Sequence, residues 1–334
     1  MMSGRQIPPY KVPGSRVLVT GGAGFLGSYV VERLLEDGAE RVVVVDDFSL
    51  GRLENLAGVA DSPALEVIEL DCADMEGLQA LSEAERGFDA CFNMAVIPLP
   101  ASLEEPRRTT DANVAMTTSV CEVGRIGLFR RLVQFSSSEV YGTAQTAPMP
   151  EDHLLHPHTP YAASKAATDH VALSYWITFG LPTTVVRPFN AYGRRQNDKA
   201  YAGLIPRVVR DVDAGLPVTI HGDGEQTRDY THARDVARGT VRLAEHDGAL
   251  GRAFNMGSGQ EHTVNALVAS LLRALGEPDW PVVHGPPRPG DVRRLLADVR
   301  AARDLVDFET SVDLDEGLVD TVAWYREVAA ASDR

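Results

Sequence analysis

The stretch that most narrows the choice of fold runs from Arg16 to Gly38. An apolar run, RVLVT at Arg16–Thr20, leads directly into GGAGFLG and then into FLGSYVVERLLEDG. Phe25, Leu26, Tyr29, Val30 and Leu34 recur at helical spacing and Gly38 offers a stop, so the pattern predicts strand, tight turn, helix. A second strand follows at Arg41–Asp46 (RVVVVD), apolar on both faces as a sheet covered on both sides requires. Further strands are expected at Leu65–Leu70, Asp89–Met94 and Arg131–Ser136, with helices between them. Thr183–Arg187 and Ala253–Met256 read as later additions to the same sheet. This alternation predicts an α/β chain with a doubly wound parallel sheet.

After Arg187 the texture changes. Pro188, Pro206 and Pro217 interrupt the alternation, Pro278–Gly290 reads as a proline-rich loop, and His221–His232 looks irregular. Helical patterning returns over Arg300–Val328. The division expected is a flexible leader at 1–14, then a Rossmann-type domain from 15–188 and 228–258. A smaller, C-terminal substrate-binding region takes 189–227 and 259–334.

Composition excludes several classes of partner. With 44% hydrophobic and 24% charged residues, the 334-residue chain has the make-up of an ordinary globular protein. A net charge of −15 argues against nucleic acid and anionic membrane surfaces, although a few arginines can still dominate one pocket. Cys72, Cys91 and Cys121 are odd in number and widely spaced, which suggests a reducing compartment and neither a disulfide framework nor a zinc site. No metal site is expected. No segment has the length of a membrane span, the N-terminal stretch lacks a signal-peptide core, and a cytoplasmic location is expected.

Gly21, Gly24 and Gly27 stand between a strand and a helix, where missing side chains allow a tight turn and close approach to a pyrophosphate. A glycine triplet alone is as readily a plain turn; the flanking elements favour dinucleotide binding. Asp46 follows 19 residues after Gly27 at a strand end, where a carboxylate accepts ribose hydroxyls and repels a 2′-phosphate, favouring NAD. Tyr161 and Lys165, in PYAASK, lie one helical turn apart. A phenol titrates near ~10, so an adjacent ammonium is needed before it can act as a base near neutrality. Ser137 and Glu139, in SSSEVYG, follow a strand end, the location of reactive groups in open α/β sheets. Serine could hold a forming carbonyl oxygen, and the glutamate could serve chemistry at a neighbouring carbon. The bland alternatives are an exposed Tyr–Lys pair and a surface glutamate. His153, His156 and His158 read as a solvated loop, and Tyr192, Arg194 and Arg195 as exposed polar groups that could also approach a sugar.

The motifs TGGAGFLG, VVVVDDFS, SSSEVYG, PYAASK, RPFNAYG, GDGEQTRDY and RPGDVRR occur in this order from about Arg16 onward. Together they resemble the extended short-chain dehydrogenase/reductase family of nucleotide-sugar epimerases, dehydratases and decarboxylases. That resemblance implies that Phe25 and Leu26 join the glycines around NAD, with Asp71 and Cys72 near the adenine. It also implies that Asn113 lies on a helix beneath the active site. Asn190 and Arg228 would hold the diphosphate, Val218 to His221 would line the nucleobase, and Arg288 would clamp a phosphate. Helices near Thr109–Val123 and Tyr161–Phe179 would pair two copies as a homodimer.

Departures from the family pattern bear on the reaction. NMAVIPLP replaces a His-Leu-Ala-Ala sequence common in relatives, and Ser138 stands where many 4,6-dehydratases carry an aspartate. Ser-Ser-Glu most resembles the Thr-Ser-Glu of UDP-glucuronate decarboxylases, whereas GRRQNDKAYAGLIPR and RPGDVRR look epimerase-like. The resemblance therefore implies an NAD-dependent enzyme working through a 4-keto sugar. UDP-glucuronate decarboxylation to UDP-xylose or UDP-4-keto-xylose is the first expectation, with Ser137, Ser138, Glu139, Tyr161 and Lys165 as its catalytic set. A 4,6-dehydratase, a UDP-sugar 4-epimerase and a non-catalytic NAD-binding sensor are the alternatives.

Overall fold

The computed structural model describes residues 7, 9–198 and 202–332. Seven parallel strands form the main sheet, and six of them come early in the chain. These are β1 (Arg16–Thr20), β2 (Arg41–Asp46), β3 (Leu65–Glu69), β4 (Ala90–Asn93), β5 (Leu132–Phe135) and β6 (Thr183–Pro188). Ala253–Met256 is the seventh, and the order across the sheet runs from it through β6, β5, β4, β1 and β2 to β3. In-register pairs such as Val17↔Val42 and Val17↔Ala90 place β1 centrally. Val42 to Val45 are all buried, as expected of a strand sandwiched between helices. The strand order reverses between β1 and β4, and a crevice opens at such a switch point beyond the carboxyl ends of the strands.

Helices cover both faces. Phe25–Glu36 and Ala233–Ala244 pack on one side through Val30, Val31, Leu34, Val236 and Val241. On the other, Pro106–Arg125 and Pro160–Phe179 lie side by side over Met116, Val120 and Ala172. A second core gathers the helices Leu204–Asp213, Val264–Leu275 and Leu314–Ser332 around Val218, Ile220, Leu267, Leu271 and Leu318.

Three local expectations need amending. Residues 1–6 and 8 of the expected leader lie outside the described residues, but Tyr10 and Val12 are buried in the main core. The Val12 N–H donates to Glu245, which ties this segment to the body of the protein. Val282–Gly285, inside the expected proline-rich loop, is a strand paired in parallel with Val218–His221. His221–His232 likewise carries two short strands, Thr227–Arg228 and Tyr230–His232. Among the described residues, no helix is long and apolar enough to cross a membrane, and Cys72, Cys91 and Cys121 are free and buried.

Candidate active site

A cleft of about 470 Å³ opens at the switch point, lined by Gly21, Gly24, Phe25, Leu26 and Gly27 from the first turn and helix. The absence of side chains here is a steric requirement. A Cβ on Gly27 would sit 2.1 Å from the Gly21 carbonyl oxygen, and one on Gly21 only 2.7 Å from the Ala95 nitrogen. Both contacts are with backbone, so neither can be relieved by a side-chain rotation. The helix beginning at Phe25 thus presents its unpaired N–H groups to the cleft, a setting suited to an anion.

Asp46 ends β2 at the cleft wall. Its Oδ2 accepts from the Ala23 N–H at 3.0 Å and its Oδ1 from the Phe48 N–H at 3.0 Å. Burial raises the Asp46 pKa, the two backbone donors lower it, and Asp47 raises it. Asp71 and Cys72 line the neighbouring wall. A bare glycine turn at a helix N-terminus, with a carboxylate fixed beyond it, is the donor and acceptor set a dinucleotide diphosphate and ribose need. The residues present fit NAD.

Ser137, Glu139, Tyr161 and Lys165 converge at the other end of the cleft. Thr159 caps the helix Pro160–Phe179 by accepting from the Ala162 N–H, so Tyr161 falls in its first turn and Lys165 in the next. Burial pushes the Tyr161 phenol up to about 12; Ser137 lowers it by hydrogen bonding, and Glu139 and Asp169 raise it. The Lys165 ammonium donates to the Phe135 carbonyl, and burial pulls it down to about 8 against the opposing influence of Asp169. The charge influences on the phenol thus come from Glu139 and Asp169, and the lysine effect expected from spacing is not among them. Burial raises the Glu139 pKa, with Arg228 lowering it and Asp291 raising it, so this carboxylate is coupled both to the phenol and to Arg228.

Other expected residues lie further off. Ser138 is buried and does not line the cleft. Asn113 is also buried and not part of the lining; it bonds the Ile97 backbone in both directions and donates to Ser164, holding the Ile97 wall of the cleft against the catalytic helix. Asn190 lines the cleft, whereas Val218, His221, Arg228 and Arg288 do not. Arg228 donates to Asp291 at 2.6 Å and to the Thr227 carbonyl. Arg194 pairs with Asp320, whereas Arg195 lines the cleft and pairs with Glu32 at 2.7 Å while covering the Tyr29 ring. His153 is buried against Tyr141, unlike the solvated residue expected.

Sequence reasoning missed part of the lining. Arg52, Asn55, Ile97, Pro98, Gln196 and Trp324 all face the cleft. The odd NMAVIPLP sequence was a usable sign for Ile97 and Pro98, but nothing local marks Trp324, which arrives from the last helix.

The GDP-mannose 4,6 dehydratase family profile matches residues 18–321. A UDP-glucose 4-epimerase of Mycolicibacterium smegmatis is 38% identical over 315 residues, 93% of this chain and 98% of that protein. A dTDP-glucose 4,6-dehydratase of an Actinoplanes species is 33% identical over 93% of this chain and 98% of its own. A UDP-N-acetyl-alpha-D-glucosaminuronate decarboxylase of Bacillus cytotoxicus is 30% identical, covering 94% and 98%. Among solved structures, a Thermotoga maritima UDP-glucose 4-epimerase with UDP-glucose superposes with a TM-score of 0.87 at 33% identity, covering 94% of this chain and 99% of that one. DesIV, a dTDP-glucose 4,6-dehydratase from Streptomyces venezuelae with NAD bound, gives 0.89 at 33% identity, covering 95% and 98%. The chain is a nucleotide-binding α/β enzyme of the doubly wound class. It belongs to the NAD-dependent extended short-chain dehydrogenase/reductase family of nucleotide-sugar epimerases, dehydratases and decarboxylases.

Proposed function

We propose that this enzyme is a 4-epimerase of a UDP-linked hexose. The observation that carries the reading is the equipment of the sugar end of the cleft. It offers a phenol, a serine hydroxyl and a lysine for reversible oxidation at one carbon. Ser138 stands where an acid would be needed to protonate a departing hydroxyl, and it is buried outside the lining. Among the described lining residues, the basic side chains are Arg52, Lys165 and Arg195, and each is engaged, with Asp198, the Phe135 carbonyl and Glu32. A sugar carboxylate would have to compete with each of these partners. The 38% identity to an epimerase points the same way.

Bound NAD supplies the acceptor and donor of a hydride. Tyr161 takes the proton from the C4 hydroxyl and later returns it. Ser137 holds the same oxygen while it is a carbonyl, and Lys165 is the cation that makes the phenolate accessible. Asp46 and the glycine turn fix the dinucleotide. Asn190, Arg228 and Arg288 are assigned to the sugar diphosphate, since a guanidinium fork matches phosphate oxygens, and Val218 and His221 to the base. Arg228 must then share or release Asp291. We also assign the enzyme to the cytoplasm, whose reducing conditions suit the three free cysteines, and to a homodimer built on the helices Pro106–Arg125 and Pro160–Phe179.

Glu139 favours a second reading, decarboxylation of UDP-glucuronate. A carboxylate coupled to Tyr161 serves proton handling at C5, next to the oxidised carbon, which plain epimerisation does not need. Because each basic side chain among the described lining residues already has a partner, this first expectation from sequence becomes the alternative. Purified enzyme with NAD should convert UDP-glucose or UDP-N-acetylglucosamine to the 4-epimer, read by proton NMR of the anomeric signals. Release of carbon dioxide from UDP-glucuronate, with no epimer formed from either neutral sugar, would reverse the order of the two readings.

A further inference from the structure

Tyr161, Lys165 and Asp169 follow each other at four-residue intervals on one helix, so the catalytic pair continues into a third polar residue on the same face. Asp169 and Arg187 are both buried, and the Arg187 Nε donates to Asp169 Oδ2 at 2.9 Å from β6. Arg187 is held in turn by the Tyr141 hydroxyl at 2.8 Å and the Glu151 carbonyl at 2.9 Å, and it lies over the Tyr141 ring. The other carboxylate oxygen, Asp169 Oδ1, is buried with no hydrogen-bond partner. Ser136 Oγ also lacks a partner of normal geometry, although it acts on the carboxylate. Among the described residues, Lys165 donates to the Phe135 carbonyl and forms no ion pair with Asp169. A buried carboxylate oriented by an arginine, with one oxygen met only by the poorly aligned Ser136 hydroxyl and lying one turn from a buried ammonium, is more than packing requires.

We propose that Asp169 is the positioning residue of the catalytic pair: oriented by Arg187, it is the counter-charge that keeps the Lys165 ammonium charged and aligned behind Tyr161. Neutral lysine would offer the phenolate no charge. Among the described residues, Asp169 is the charged group that acts on Lys165 and the Phe135 carbonyl accepts from its ammonium, while Arg187 and Ser136 act in turn on the Asp169 carboxylate. Burial raises the Asp169 pKa while Arg187, Ser136 and Lys165 lower it, and burial lowers the Lys165 pKa while Asp169 raises it, so each charge opposes the cost of burying the other. The inference rests on the tyrosine–lysine chemistry common to the family and not on which sugar is converted.

The sequence makes a direct test possible, because Lys11, Lys165 and Lys199 are its only lysines. Protein labelled with 13C-lysine gives three side-chain Cε signals, and Lys165→Met identifies the one of interest. In the wild type it should titrate near 8. In Asp169→Asn it should titrate about one pH unit lower, and in Asp169→Glu close to wild type. With UDP-glucose, or whichever sugar the wild type converts, the alkaline limb of kcat should move down by the same amount. At pH 8 the charged fraction then falls from about one half to about one eleventh, so kcat drops about fivefold there and little at pH 6. If Asp169→Asn does not fold because Arg187 is left unpaired, Asp169→Asn with Arg187→Met removes both charges and keeps the test. An unchanged Lys165 titration in the folded variants overturns the proposal, even if activity is low. A shifted titration in a protein that turns over none of the sugars leaves the inference standing and sinks the epimerase reading instead.

Discussion

At the scale of single residues, the sharpest expectation concerns Tyr161. Its phenol is pushed to about 12, so it needs a nearby cation to reach the phenolate form before it can take the substrate proton. Tyr161→Phe should lower kcat by about 10³-fold or more while leaving NAD affinity, measured by calorimetry, within about threefold. Loss of NAD binding in that variant would reassign the residue to cofactor binding. Glu139 supports a second prediction, about stability. Its folded pKa is raised by burial, so the protonated form is the one the fold prefers. Such a group favours folding below its unfolded pKa, and that contribution is lost as pH rises through the folded value. Glu139→Gln should therefore raise Tm by about 1–2 °C at pH 7.5, with the gain disappearing toward pH 4. It should also slow chemistry at C5 if the decarboxylase reading holds. The Tyr161–Lys165 pair was legible because helical spacing is local. The pairing of Asp169 with Arg187 was not, since it needs β6 laid beside the catalytic helix.

At the scale of elements, the first turn is the least tolerant part of the cleft. Gly27→Ala puts a methyl 2.1 Å from a carbonyl oxygen and 2.8 Å from the Gly22 Cα, and neither can move without opening the turn. NAD affinity should fall at least about tenfold in that variant. Gly24→Ala meets only the Gly21 oxygen at 3.1 Å and should be the milder change. Thr159→Ala removes a cap from the catalytic helix and should cost about 1 kcal/mol in urea unfolding, with kcat falling more than NAD affinity because Tyr161 lies in the loosened turn. The sheet strands were readable because burial on both faces leaves a continuous apolar run, as in RVVVVD. Val282–Gly285 was not: its residues are mostly exposed, prolines flank it, and only pairing with Val218–His221 makes it a strand. Parallel pairing across some 60 residues leaves no local trace.

On the scale of the whole molecule, legibility again depended on distance along the chain. Asp46 could be placed at the cleft because the interval from Gly27 is short and set by one helix and one strand. Trp324 and Asn190 reach the same cleft from distant segments, one legible only by resemblance and the other not at all. Assembly is the property furthest from local pattern, and it yields the last prediction. The outward side of the helix Pro160–Phe179 carries Ala163, Ser174, Ile177 and Phe179, of which Ile177 is 71% exposed. The small Ala163 and Ser174 would let a second copy approach closely, and Ile177 and Phe179 give apolar area to bury near the C-terminal end. The same two helices carry Tyr161, Lys165 and Asn113, so pairing them would brace the catalytic turn from behind. Sedimentation velocity at about 10 µM should show a dimer, with Ile177→Asp shifting it toward monomer and making Tm depend on protein concentration. Because the charge sits far from the cleft, the variant should retain NAD binding and lose turnover in step with dissociation. A wild type that sediments as a monomer, or a dimer indifferent to Ile177→Asp, would move the interface off this face and leave the rigidity of the catalytic helix to its cap, the Asn113 bonds and the Asp169–Arg187 pair alone.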